Sequence, residues 1–172
     1  MSGIIQNEKQ LYFRNKKHYI ISLITKEHNY YLWKYVYYLR KEETAFNKFM
    51  KYWYRRKKNI LGSKLGILIN AGVCEEGLRI WHYGSIIING YTKMGKNCIL
   101  HGQNCIGNNG KDNMNLKAPI IGNNVDIGVG ASIIGDIYIA DDVKIAAGAV
   151  VTKSCYIKGA TLIGIPAEVL KK

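Results

Sequence analysis

"IGNNVDIGVGASIIGDIYIADDVKIAAGAVVTKSCYIKGATLIGIPAE", residues 121–168, divides without remainder into eight hexads. Their first positions are Ile121, Ile127, Ile133, Ile139, Ile145, Val151, Ile157 and Ile163, an unbroken aliphatic series. Their fifth positions, Val125, Ala131, Ile137, Val143, Ala149, Cys155, Thr161 and Ala167, are mostly small or β-branched. An α-helix does not repeat every six residues, and plain two-residue alternation does not explain the recurring glycines. The beat fits a β-solenoid whose triangular coil uses three short strands, about 18 residues per turn. The first position points inward, the fifth fills the tighter space near a corner, and Gly, Asn and Asp stand where the chain turns.

The same beat runs upstream through Ile88, Met94, Leu100 and Ile106, then slips, because Ile106 to Ile121 is not a multiple of six. The slip falls in the polar "GNNGKDNMNLKAP", which reads as a loop extruded at about 107–120. Loops thrown out of a rigid scaffold often carry function. The solenoid is therefore expected over residues 66–172, preceded by a separate region, residues 1–65.

That front region differs in composition. The chain has 172 residues, 25 Lys and Arg against 12 Asp and Glu, and a net charge of +13. Fifteen of those cations and only four of the acids precede residue 67, together with nine of the 13 tyrosines. Leu32, Tyr35, Val36 and Leu39 recur at helical spacing, and "KEETAFNKFMKYWYRRKK", residues 41–58, reads as one further helix with acids first and bases last. The region is expected to be helical and to cap the open end of the solenoid. Basic and aromatic residues interleaved in this way also suit peripheral contact with an anionic membrane or a polyanionic glycan, and fit nucleic acid less well.

Other classes are excluded or weakened by what the sequence lacks. It has no apolar run long enough for a transmembrane helix and no apolar core followed by a small-residue cleavage site. The expected location is the cytoplasm, at the inner face of the membrane if the front region binds lipid. Cys74, Cys98, Cys105 and Cys155 show no CxxC spacing and are expected to be packing residues. Two solenoid histidines, His82 and His101, fall short of a three-histidine zinc site, so no metal is expected. No GxGxxG motif is present.

One histidine stands out. In "GLRIWHYGSIIING", residues 77–90, His82 interrupts an aliphatic, glycine-punctuated run. Taken alone it is either a satisfied core histidine or a general base. His101 follows 19 residues later, about one coil along, as either a neighbour in one cleft or a surface corner.

The run from "GLRIWHYGS" to "CIGNNG", with "GAVVTKS" and the closing "GIPAEVL", resembles the hexapeptide-repeat acyltransferases, specifically their serine acetyltransferase-like branch. The resemblance implies a mainly β fold, a left-handed parallel β-helix, assembled as a homotrimer. It implies transfer of an acetyl group from acetyl-CoA directly to a hydroxyl, with His82 as general base; by its spacing His101 would then stand near the acceptor or thioester, and Glu75 or Glu76 would orient His82 from its far nitrogen. Acetyl-CoA would lie between subunits against Ala147, Gly148, Gly164, Pro166 and Ala167, with Lys153 meeting a phosphate.

Three departures bear on the acceptor: the paired acid upstream of the histidine in that branch has no counterpart in clear register among Asn70, Glu75 and Glu76, and two further positions differ. An Asp that precedes the histidine in that branch is Trp81 here, and a loop histidine before a proline is Ala118. They turn the expectation toward O-acetylation of a surface saccharide such as capsule. Serine O-acetylation and a non-catalytic solenoid scaffold stand as the alternatives.

Overall fold

A computed structural model describes residues 2–110 and 117–170. Among these residues four helices, α1 (Ser2–Tyr12), α2 (Lys16–Thr25), α3 (His28–Glu43) and α4 (Lys48–Leu65), precede fourteen short strands. The strands form three faces of a left-handed parallel β-helix. One face stacks β1 (Ile67–Leu68), β3 (Ile86–Ile88), β6 (Cys105–Gly107), β9 (Ser132–Ile134) and β12 (Val150–Val151). A second stacks β4 (Lys93–Met94), β7 (Ile120–Ile121) and β10 (Tyr138–Ile139). The third stacks β2 (Arg79–Ile80), β5 (Ile99–Leu100), β8 (Asp126–Ile127), β11 (Lys144–Ile145) and β13 (Thr161–Gly164), and ends in an antiparallel strand, β14 (Ala167–Val169).

The hexad residues fill the interior as their period requires. Met94, Leu100, Ile106, Ile121, Ile127, Ile133, Ile139, Ile145 and Val151 are all buried. The turns between the second and third faces are held by a ladder of side chains. Asn97, Asn124 and Asp142 each adopt positive φ, which short polar side chains tolerate. Asn97 Nδ2 donates to Asn124 Oδ1 at 3.2 Å, and Asn124 Nδ2 to Asp142 Oδ1 at 2.9 Å.

Two inward assignments fail at the end of the chain. Ile157 and Ile163 face outward, Ile157 being 60% exposed, and their places are taken by Cys155 beneath Ile139 and Leu162 beneath Ile145. The final coil departs from six-residue steps, so the aliphatic at every sixth position no longer marks the interior. Cys105 is also exposed rather than packed, while Cys74, Cys98 and Cys155 are buried. Burial pushes the Cys98 thiol up to about 11. Of the proposed extruded loop, residues 111–116 lie outside the described residues.

The expected helix over 41–58 is two pieces. α3 ends at Glu43, and α4 starts after Asn47, whose side chain accepts from Met50 N–H at 2.8 Å. The acids lie at the end of α3, where one partner is on α3 itself and two reach across from α4. Glu43 pairs with Arg40, and Glu42 pairs with Lys58 and Arg55 across the helix pair.

The helices cover the first coil, whose strands would otherwise present unpaired backbone groups. Tyr12 Oη accepts from Ile80 N–H at 3.0 Å and donates to the Leu78 carbonyl at 3.3 Å. Tyr35 Oη does the same for Ile69 N–H and the Ile69 carbonyl. Burial raises both phenols far above their usual range, so they stay protonated donors. Glu8 accepts from Gly77 and Leu78 N–H, and Arg40 donates to the Cys74 and Glu75 carbonyls. Arg40 and Glu8 are themselves a buried pair at 3.0 Å.

Candidate active site

His82 leaves β2 at the corner where the third face turns into the first. Ile80 pairs with Leu100 and Ile88 with Ile106, so seven residues, 81–87, bridge what five bridge in the coil below. The surplus is His82 and Tyr83 themselves, because Gly84 and Ser85 repeat the positive φ of Gly102 and Gln103 below, and Gln103 N–H donates to the Gly84 carbonyl. A regular corner cannot hold the extra length, and it swings the His82 side chain out to solvent. The core-histidine reading is thereby set aside.

The backbone ladder fixes what lies beneath. Trp81 N–H donates to Leu100, His101 N–H to Ile127, Gly128 N–H to Ile145 and Ala146 N–H to Leu162. That register stacks His82, Gly102, Val129, Ala147 and Gly164 in one row, and Trp81, His101, Gly128, Ala146 and Ile163 in the next. With about 4.8 Å per coil, His82 and Ala147 stand roughly 14 Å apart along the axis. Gly102 must be glycine here: its φ is +116°, and a Cβ would lie 3.2 Å from His82 Cβ and 3.1 Å from the His82 carbonyl. By contrast, nothing lies within 4 Å of a Cβ built on Gly148, and Ala147 is exposed, so this strip is open to a narrow ligand.

His101 stacks on Trp81, with ring centroids 4.9 Å apart at 21°, and its Nε2 shares a 2.7 Å hydrogen bond with Asp126 Oδ1. The Arg79 guanidinium lies 4.8 Å over the Trp81 ring. From the helices, His28 Nε2 donates to the Trp81 carbonyl at 2.6 Å, fixing the peptide that leads into His82. The His28 ring packs against Tyr83 and lies 5.3 Å from the His82 ring. A cleft of about 820 Å³ opens between the first two helices and this corner, lined by Arg14, His18, His28, Arg79, Trp81 and His82 among others.

Not every expected site residue joins this group. Glu76 lies at the opposite end of β2 from His82 and pairs with Lys96 at 2.8 Å. Five residues separate them, the two of β2 among them, and the Glu76 carboxylate is held by Lys96 at the other corner, so Glu76 does not orient His82. Lys153 follows β12 and sits at the next corner of the triangle, away from the His82 row. Ala147, Gly148 and Gly164 share the His82 edge, and Pro166 and Ala167 follow in the β13–β14 hairpin, Pro166 exposed and Ala167 buried. Ala118 is buried, so no side chain reaches an acceptor from there. Sequence reasoning missed Asp126, Arg79 and His28. Asp126 and Arg79 could have been found by aligning coils, whereas nothing local marks His28.

No family model matches the chain. It is 35% identical over 108 residues to a serine acetyltransferase of Helicobacter pylori, covering 62% of each chain. It is 31% identical over 106 residues to one of Synechococcus elongatus, covering 61% of this chain and 43% of that one. Against one of Staphylococcus xylosus it is 30% identical over 129 residues, covering 69% and 58%. The chain thus spans about two to three fifths of these relatives' length. Among solved structures, the Brucella abortus serine acetyltransferase with coenzyme A superposes with a TM-score of 0.77 at 22% identity, covering 98% of this chain and 67% of that one. The fold is that of the hexapeptide-repeat acetyltransferases. All of these relatives are named for serine and none for a saccharide, so the narrower likeness to polysaccharide O-acetyltransferases gains no support from them.

Proposed function

We propose that this chain is an acetyl-CoA-dependent O-acetyltransferase with His82 as general base. The observation that carries the reading is the row that puts an exposed histidine at one end of a line running over Gly102, Val129, Ala147 and Gly164, with Gly148 beside it. An extended thioester arm laid along that line would bring its carbonyl to the imidazole. The imidazole takes the proton of the acceptor hydroxyl as its oxygen attacks that carbonyl. The tetrahedral intermediate then collapses, the carbon–sulfur bond breaks, and the thiolate recovers the proton from the imidazolium. No acyl-enzyme is formed. His28 acts as a positioning residue through the Trp81 carbonyl.

The relatives' names make L-serine the first acceptor to test. A saccharide is the second reading, favoured by one observation: the buried Ala118 supplies no second histidine. The reading includes a homotrimer, and the outward Ile87, Ile120 and Val129 are apolar surface that such an assembly would cover.

The deciding experiment is thiol release from acetyl-CoA with L-serine and with a saccharide panel. His82→Ala should fold and bind acetyl-CoA but turn over ~10²–10⁴-fold more slowly. A mutant of near-parental rate overturns the assignment, and silence of the parent with every acceptor favours a scaffold.

A further inference from the structure

The helical front has two faces, and only one is used by the cap. α4 turns Lys58, Gly62 and Leu65 inward, and Lys58 is held by Glu42 and by the Ile69 carbonyl. With its inner side fixed, its outer side cannot rotate into the core. That outer side is apolar. Phe49, Trp53 and Ile60 repeat at steps of four and seven and are 75%, 42% and 44% exposed, and Phe46 just ahead of the helix is fully exposed. Tyr52 flanks them.

The charge around this stripe has one sign. α4 holds seven lysines and arginines and no acid. Glu42 accounts for Arg55 and Lys58. Among the described residues, Lys48, Lys51, Arg56, Lys57 and Lys64 make no ion pair, and Lys57 lies 5.3 Å over the Trp53 ring.

We propose that the outer face of α4 docks on the surface of an anionic lipid bilayer, with Phe46, Phe49, Trp53 and Ile60 in the interfacial layer and the unpaired cations over the headgroups. The arrangement is that of a helix lying in the interface plane. Charge complementarity selects this occupant. A second copy would bring five more unpaired cations against the first set, and a phosphate backbone would leave the Phe49 and Ile60 side chains without a partner. The contact is peripheral: among the described residues, no helix is long and apolar enough to cross a membrane.

The test is co-sedimentation of the full chain with vesicles of phosphatidylcholine alone or with about a quarter phosphatidylglycerol, at low salt. Binding to the anionic vesicles alone is expected, falling ~10-fold or more at roughly 0.5 M NaCl as the charges are screened. Phe46→Ser with Phe49→Ser should weaken it by ~10-fold or more, with the circular dichroism spectrum unchanged. Arg56→Gln, Lys57→Gln and Lys64→Gln together, the unpaired cations beside the stripe, should abolish it. Trp53 fluorescence should shift to the blue on binding, a change missing from Trp53→Phe. Absence of binding to anionic vesicles, equal binding to neutral ones, or a serine double variant that binds like the parent overturns the proposal. A single-stranded oligonucleotide that binds the same face and displaces the vesicles overturns it in favour of a nucleic-acid interface.

Discussion

The solenoid and the helical front bury apolar side chains by opposite means. In the solenoid each coil repeats the one above, so Leu100, Ile127 and Ile145 stack through identical backbone ladders. In the front nothing repeats. Tyr12, Tyr35, Glu8 and Arg40 are individually fitted to particular backbone groups of the first coil. Repetition spreads stability over many equivalent neighbours, whereas a fitted cap concentrates it in a few polar contacts that must all be satisfied.

The sharpest way to break that contrast is Arg40→Ala. It leaves the Glu8 carboxylate buried beside the freed Cys74 and Glu75 carbonyls, a loss of about 3–5 kcal/mol. Hydrogen exchange should rise across α1 and α3 while the later coils stay protected; uniform loss of protection would show that cap and solenoid unfold as one unit. A smaller effect is expected from Gly102→Ala, which imposes a Cβ at φ +116° against the His82 backbone, at ~1–2 kcal/mol. The melting temperature should fall modestly and the rate should fall further than stability explains. A rate that merely follows the folded fraction would mean the two coils are not rigidly coupled at His82.

The smallest effect should appear on acidification. Burial works against the Glu42 carboxylate, but hydrogen bonds from Arg55 and Lys58 outweigh it and hold the carboxyl below its usual range. Its contribution is therefore present above the ordinary carboxylate pKa and is lost as pH falls through the lowered value. Glu42→Gln should flatten that acid limb of the stability curve, and an unchanged limb would locate the acid sensitivity elsewhere.

Most of the β-helix was legible because its cause is local: an inward aliphatic every six residues is written directly in the chain. It became unreadable at Ile157 and Ile163, where the last coil changes its step and only pairing with Ile139 and Ile145 shows which residue points in. Glu76 looked like a partner for His82 because it is near in sequence, but a strand holds its two ends apart. His28 was invisible for the converse reason, being 53 residues from the carbonyl it holds.

The sequence by itself determined the repeat, the parallel faces that follow from it, and the basic, aromatic character of the front, since these depend on composition and period. Only the tertiary structure decided that Trp81 lies on His101, that His101 meets Asp126, and that His82 heads the strip ending at Gly164. Those neighbours are set by how many residues each coil spends at its corners, and a single extra residue changes which side chains share an edge.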